Sequence, residues 1–584
     1  MVFTSRLPKI LPPSTDVFNF IFNTGRDEYP RDRVLYRVHE TGETLTLDEL
    51  ESRSRRFAKV LVTKYNIKPD DVVAFLANNS IQYPVAFFGV LAAGATISPI
   101  PVQTGLDVPA VVPRLEQADA KLIITGSTLA ALSKGAAEAY NNIPLISLDP
   151  LSDESTIASI TSLLEAEQTP YRGFHLSTQE QTETHNAFIY RTSGSSGTIK
   201  SVLTTHAHWA ANLLTTKLTV PATTDPARDV WISSLPFAYG INAKLNLGLN
   251  ILLGIPVIIV LGPFDQESLP LIDAYGISFL FVTPPLAAQI AKAQKTPQTT
   301  FKSIKWLLSA GAPLHEKIRD AVQEKFNGVR LTLEWGTTET LLIALQIDAE
   351  STVPGSSGTL VHGIEARVID LDTGADLAAD EKGEILVRNS LARFAGYKDN
   401  AEANKEFDSE GWFHSGDVGY LDANANVFIV DRLKELLRVG DGYGTHVSVG
   451  EFEAVLFDHP AVATAIVVGI RDVETQQEHP TSFVILQPAE SEKRDSSGLA
   501  KLAVEIEAFV EEKLGSFKRL TGGVWFVERY PTVGYKINRQ WLKTLVNVGE
   551  GDRSVRGRKS PTLPTCRPSS LAPGGTDRGT ARPS

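Results

Sequence analysis

The strongest constraint on the fold of this chain is an alternation. Short β-rich runs such as Val72–Ala77, Leu122–Thr125 and Leu280–Thr283 are separated by longer amphipathic or apolar stretches such as Gln82–Gly94 and Pro285–Ala293. Parallel neighbours need a crossover of about a dozen residues or more, and helices of that length between strands predict α/β architecture with largely parallel sheets. From about Gly383 the runs shorten (Glu384–Arg388, Gly419–Leu421, Val427–Val430) with turn residues between them, which predicts a β-rich module closing a large N-terminal domain of mixed α/β subdomains, residues 16–431. Beyond Asp431, a helix over Val449–Phe457, strands over Ala465–Gly469 and Thr481–Leu486 and a helix over Leu499–Leu514 make a small α+β C-terminal domain, residues 432–548. Residues 549–584, dense in Pro, Gly, Ser and Thr with seven Lys and Arg against three Asp and Glu, are expected to form a disordered basic tail.

Composition narrows the classes of function. With 42% apolar residues among 584, the chain can fill more than one core, and disorder is not its general state. A net charge of −12 disfavours nucleic acid as the main partner, because that binding neutralises phosphates with clustered Lys and Arg; a basic pocket for a small anion stays compatible. The one cysteine, Cys566, falls in the tail. This argues against a disulfide framework, a cysteine metal site or a cysteine nucleophile, and fits a reducing intracellular compartment.

Residues 1–15 contain Arg6 and Lys9 but no apolar stretch of signal-peptide length, and Pro8, Pro12 and Pro13 interrupt any helix. The run Leu247 to Leu261 carries Asn250 and Pro256 and is shorter than the ~20 residues that span a bilayer. It reads as a buried helix-to-strand segment, with a membrane span as the minor alternative. The final Arg582, Pro583 and Ser584 do not resemble a Ser-Lys-Leu peroxisomal signal, so the cytoplasm is the expected compartment.

The sharpest local signal follows the apolar stretch Ala187–Tyr190: Thr192, Ser193, Gly194, Ser195, Ser196 and Gly197, closed by Lys200. Glycines let backbone N–H groups approach a polyphosphate, hydroxyls donate to it, and the lysine adds mobile positive charge. No Gly-Lys-Ser/Thr ends the loop, so it is not a Walker A loop. The competing reading is a flexible Gly/Ser surface loop.

Six further segments occur in order along the chain: Leu235, Pro236 and Phe237 with Tyr239 and Gly240; Ser309 to Pro313 around Gly311; Glu334 to Glu339; Gly411 to Asp417; Asp431 to Leu436; and Lys518 to Gly523 with Gly534 to Arg539. With the Gly/Ser loop, this set resembles the adenylate-forming (AMP-binding) superfamily, in particular acyl-CoA synthetases and 4-coumarate:CoA ligases, from about Asp16 to Leu545. The resemblance implies ATP-dependent activation of a carboxylic acid to an acyl-adenylate, then thioester formation with coenzyme A, with Mg²⁺ as cofactor and a mobile C-terminal domain. The alternatives are an adenylation enzyme loading a separate carrier protein, and a nucleotide-binding pseudoenzyme.

Carried over residue by residue, the resemblance assigns Gly311, Leu333, Glu334, Trp335, Gly336 and Thr338 to the nucleotide site, with the Trp335 ring beside adenine and a Thr hydroxyl near the α-phosphate. Glu339 becomes the Mg²⁺ ligand; the plain alternative is a solvated acid. Asp417 would accept from the ribose hydroxyls, although an Asp at a glycine-containing turn is ordinary. Arg432, Lys434 and Arg438 would contact ribose or phosphate or lie near the hinge, against the usual fate of Lys and Arg as solvated charges. Tyr239, Gly240 and Glu334 would line the acyl pocket, the loop Gly440 to Gly444 would flank the thiol's approach, and Lys536 would be catalytic; its plain reading is a lysine on an exposed C-terminal helix.

Several positions depart from the family pattern. No histidine follows Phe237, where related ligases carry one. Glu334 and Leu333 replace a common Gly and a polar amide, Tyr535 and Ser201 stand at usual glycines, and Arg438 and His446 replace a common Lys and Gln. For Glu334, three roles are open: excluding aromatic acids, binding a polar substrate group, or pairing with a nearby Arg.

Overall fold

The computed structural model describes residues 1–24, 28–102, 106–151, 156–193, 199–292, 299–348, 351–438, 446–471, 478–487, 490, 495–515, 518–533 and 536–547. The expected tail, the loop residues Gly194, Ser195, Ser196 and Gly197, and the segment Gly440 to Gly444 lie outside the described residues. Two compact units divide the chain. One comprises Met1–Leu437, His446–Glu451 and Pro531–Asn538; the other comprises Arg438–Thr445, Phe452–Tyr530 and the chain from Arg539.

The first sheet of the larger unit has six strands in the order Leu145–Ser147, Ala120–Thr125, Val72–Leu76, Thr96–Pro99, Asn186–Ser193 and Ile199–Thr205. Five are parallel and the last returns antiparallel. Val72–Leu76 is buried along its whole length, as a central parallel strand covered on both faces must be. The helix Gln82–Ala92 is buried on all sides, which its nearly continuous apolar sequence permits. It packs against Leu47–Lys64, a helix started by a capping box: Thr46 Oγ1 accepts from the Glu49 N–H while the Glu49 carboxylate accepts from the Thr46 N–H.

The second sheet has nine strands: Thr359–Leu360, Leu341–Leu345, Leu331–Thr337, Trp306–Ala310, Phe279–Phe281, Trp231–Ser233, Val257–Ile259, Val34–Val38 and Thr44–Thr46. Its middle is filled by Trp231, Phe279 and Trp306, with ring centroids 4.9 and 4.4 Å apart in succession. The apolar run from Leu247 is a buried helix-to-strand segment: helical segments Leu245–Leu249 and Asn250–Leu253 lead into Val257–Ile259 inside this sheet. No helix among the described residues is long and apolar enough to cross a membrane.

The third sheet is antiparallel, ordered Val2–Thr4, Ile364–Ile369, Gly383–Asn389, Phe413–Leu421 and Val427–Arg432. It is the expected β-rich module with two additions: Ile364–Ile369, which precedes the expected start near Gly383, and Val2–Thr4, which pairs with it at the edge of the sheet.

The smaller unit carries the sheet Val462–Arg471, Glu478–Leu486, Gly523–Phe526, with the helix Ser496–Leu514 and the helix Arg539–Asn547. Phe452, Leu456, Phe483, Leu502, Ile506, Val510 and Leu542 are buried within it. Arg539 Nη1 donates to Glu453 Oε1 at 2.6 Å and to the Val467 carbonyl at 2.7 Å, holding the last helix on the sheet. The architecture is thus mixed α/β, with a large N-terminal part and a small C-terminal α+β part.

Candidate active site

The strand Leu331–Thr337 and its return Leu341–Leu345 form a tight hairpin with a register shift between Trp335 and Gly336. A side chain at 336 would bring Cβ within 2.2 Å of the Leu341 carbonyl oxygen, so the close backbone approach requires glycine there. The three-residue link, Thr338, Glu339 and Thr340, is pinned by Thr337 Oγ1, which lies 2.8 Å from Thr340 Oγ1 and accepts from the Thr340 N–H at 3.0 Å. Trp335 and Glu339 are thereby buried while Thr338 is half-buried.

Trp335 Nε1 donates to Asp417 Oδ2 at 2.8 Å. The other oxygen of Asp417 faces Arg432 Nε at 2.8 Å. Asp417 and Arg432 are direct cross-strand partners on Phe413–Leu421 and Val427–Arg432, so the pair is set by sheet register and not by loop conformation. Ser415 completes the corner: its hydroxyl accepts from the Asp417 N–H at 3.0 Å and its carbonyl accepts from Arg432 Nη1 at 2.9 Å. Lys434 lies two residues on, exposed, in the short turn Leu433–Glu435.

Glu339 reaches the opposite way. The Tyr397 hydroxyl lies 2.7 Å from Glu339 Oε1 and 2.6 Å from Glu406 Oε2. Glu406 in turn pairs with Lys200 Nζ, which also sits 4.9 Å from the centroid of the Tyr397 ring. Burial, and then the Glu339 carboxylate, raise the Tyr397 phenol well above the usual tyrosine range, so it remains a donor. Backbone pairing sets this cluster. The segment around Tyr397 lies along the strand Ile199–Thr205, with the Leu203 N–H donating to the Gly396 carbonyl at 3.0 Å and the Lys398 N–H to the Ser201 carbonyl at 2.9 Å. Thr192 is the direct partner of Lys200 across the hairpin.

A third cluster surrounds Glu334. Its register partner is Ala310, the last residue before the exposed, positive-φ Gly311. Its carboxylate accepts from Lys244 Nζ at 2.6 and 2.7 Å, with 4% and 8% of the two side chains exposed for lysine and glutamate respectively. The partner is therefore a lysine, not the arginine considered from sequence. Lys244 ends the helix Gly240–Lys244, directly after half-buried Tyr239, whose phenol burial pushes up to about 12. A Cβ on Gly240 would lie 3.4 Å from the Tyr190 ring, which ties this helix to the strand leading into the Gly/Ser loop. Leu333 donates its N–H to Gln346 Oε1 at 3.0 Å.

Trp335, Asp417 and Arg432 therefore form one cluster and Lys200 and Glu339 a second through Tyr397 and Glu406, while Glu334 pairs with Lys244 at the end of the helix that Gly240 starts. Lys536 begins the two-residue strand Lys536–Ile537, paired antiparallel with Thr532–Val533, and so does not lie on a helix. The side chains of Ser193, Arg438 and Lys536 lie outside the described set. Tyr397, Glu406 and Lys244 were not singled out from sequence, and Ser415 entered only as part of the segment Gly411 to Asp417. Gly396, held at φ 108° immediately before Tyr397, is a signal that marks that turn; Glu406 has none.

Comparison with known proteins places the chain in a family. The AMP-binding enzyme family model matches residues 22–398, and the AMP-binding enzyme C-terminal domain model matches 451–534. The 4-coumarate–CoA ligase 1 of Petroselinum crispum is 30% identical over 571 residues, covering 94% of this chain and 98% of the relative. Among solved structures, the anthranilate CoA ligase AuaEII in complex with anthranoyl-AMP aligns with a TM-score of 0.78 at 20% identity, over 93% of this chain and 99% of that one. ATP-bound MatB from Rhodopseudomonas palustris aligns at 0.75 and 23% identity, over 91% and 99%. At these identities the two structures speak to the fold. With the first family model spanning more than half of its residues, the chain belongs to the AMP-binding enzyme family of adenylate-forming ligases.

Proposed function

We propose that this chain activates a carboxylic acid with ATP to an acyl-adenylate and then transfers the acyl group to coenzyme A. The observation that carries the reading is the hairpin Leu331–Leu345, which offers Trp335 with Asp417 and Arg432 on one side and Glu339, linked to Lys200, on the other. An aromatic surface beside a carboxylate with two oxygens suits a nucleoside, and a lysine with a neighbouring acid suits its phosphates. The similarity to 4-coumarate–CoA ligase 1 over nearly the whole of both chains supports thiol transfer.

In this reading Asp417 accepts from the ribose hydroxyls, and Arg432 holds the Asp417 carboxylate in place across the strand pair. Thr192 and Lys200 face the phosphates together with the loop residues Ser193 to Gly197. Among the described residues no group of three or more His, Cys, Asp or Glu could cage a metal, and Mg²⁺ does not need one. A hard cation keeps water and phosphate oxygens around a single carboxylate, so buried Glu339 fits as its protein ligand. When bound, Mg²⁺ would supply charge neutralisation at the phosphates. Lys536 supplies positive charge to the transition state between the carboxylate and the α-phosphate.

Tyr239, Gly240 and Glu334 line the acyl pocket, Gly311, Leu333, Gly336 and Thr338 border the nucleotide, and Lys434 and Arg438 lie near the hinge. Residues 16–431 form the adenylation domain and 432–548 a mobile domain whose reorientation lets one site serve both half-reactions. The cytoplasm is the compartment.

The test is a panel of carboxylic acids, aromatic and polar aliphatic, incubated with ATP, Mg²⁺ and coenzyme A and analysed by mass. The expected result is an acyl-AMP and the matching acyl-CoA for at least one acid. Adenylate without thioester would move the acceptor to a carrier protein, and neither product across the panel would contradict the reading.

A further inference from the structure

Lys200 is the lysine that the proposed function sends to the phosphates, yet here it is already engaged. Its ammonium pairs with Glu406 and lies over the Tyr397 ring, with 8% of its side chain exposed. Glu406 is more open, at 32%. Neither Glu406 nor Tyr397 is in the set of residues the nucleotide reading uses. Both come from the segment 396–407, in which Asn404 fixes the turn: its Oδ1 accepts from the Tyr397 N–H at 2.7 Å and its Nδ2 donates to the Tyr397 carbonyl at 3.2 Å.

We propose that Glu406 is a positioning residue that parks Lys200 away from the phosphates, and that Tyr397 makes the parking reversible; this rests on the ATP-dependent ligase reading. One phenolic hydrogen serves two carboxylates, since a tyrosine hydroxyl donates once. With Lys200 on Glu406, that hydrogen is available to buried Glu339. When Lys200 leaves for a phosphate, the hydroxyl turns to Glu406, 2.6 Å away, and Glu406 is not left without a donor. A half-buried acid left without a donor would make departure costlier; the turning hydroxyl lowers that cost for Glu406 at the expense of its bond to Glu339. The arrangement favours ligands with enough negative charge to outbid Glu406, and so separates ATP from AMP before any chemistry.

The consequence is a competition. Nucleotide binds through Lys200 only in the fraction of molecules in which the lysine is free, so affinity is lowered by that fraction. The experiment is equilibrium binding of ATP and of AMP by calorimetry, without acid substrate and with metal chelated, for the full chain and for Glu406→Gln. Gln keeps the size and can still accept from Tyr397, but carries no charge to hold Lys200. ATP is expected to bind about tenfold more tightly to Glu406→Gln, as it would if the free fraction were roughly one in ten, and AMP affinity is expected to stay unchanged.

Adding Lys200→Met to Glu406→Gln should erase the gain. Unchanged or weaker ATP binding by Glu406→Gln would overturn the proposal, as would an equal gain for AMP or a gain that survives Lys200→Met. A wild-type chain that binds no ATP would instead overturn the ligase reading itself. Glu406→Asp, which retains charge with a shorter reach, should fall between wild type and Glu406→Gln; thermal melts of each variant check that the fold is kept.

Discussion

Asp417, Glu334 and Glu339 are three carboxylates on or beside one hairpin, and each is satisfied in a different way: by a tryptophan and an arginine, by a lysine, and by a tyrosine. The Lys244–Glu334 pair is the more enclosed of the two ion pairs. Breaking a buried pair from one side leaves an uncompensated charge, so Lys244→Met is expected to destabilise the chain by about 3–5 kcal/mol. Replacing both, as Lys244→Met with Glu334→Gln, should recover most of the loss, because the desolvation cost of two ions disappears with them. Urea midpoints of the two single variants and the double variant measure this; an additive double variant would contradict the pairing. Lys200 was singled out by the Gly/Ser-rich run it closes, and Trp335, Asp417 and Glu339 by the ordered motifs that resemble the family; the structure joins Trp335 to Asp417 and, through Tyr397 and Glu406, Glu339 to Lys200. The two bridging residues were not legible in the sequence. Tyr397 is 58 residues from Glu339 and Glu406 is 206 from Lys200, and no local spacing encodes a contact made by strand pairing.

At the scale of elements, the hairpin Leu331–Leu345 holds the site together, and Gly336 is its weak point. Gly336→Ala would press Cβ into the Leu341 carbonyl, which belongs to backbone and cannot rotate away. The expected cost is on the order of 3 kcal/mol or more, with nucleotide binding reduced as Trp335 shifts. A denaturation midpoint equal to wild type would show that the hairpin relaxes freely. Helices and buried strands were readable because apolar period and length separate them: Val449–Phe457 and Val72–Leu76 lie where their patterns predict. Val2–Thr4 was not, since a three-residue strand has no period and its partner lies more than 360 residues away. Lys536 was open between a turn and a helix, and its two-residue strand is too short to leave a pattern.

For the whole molecule, three sheets of the larger unit meet the site from different directions. The six-stranded sheet brings Lys200, the nine-stranded sheet brings Trp335 and Glu339, and the antiparallel sheet brings Asp417 and Arg432. The order of motifs along the chain announced these pieces, but which sheet delivers each, and which residues bridge them, follows from strand order that motifs do not contain. The central claim, activation of an acid at the expense of ATP, is tested most directly by acid-dependent exchange of labelled pyrophosphate into ATP. The account predicts exchange with at least one acid of the panel for the full chain, and a fall of about 10²–10³-fold in Lys536→Ala with ATP binding kept. No exchange with any acid, or an undiminished rate in Lys536→Ala, would contradict it.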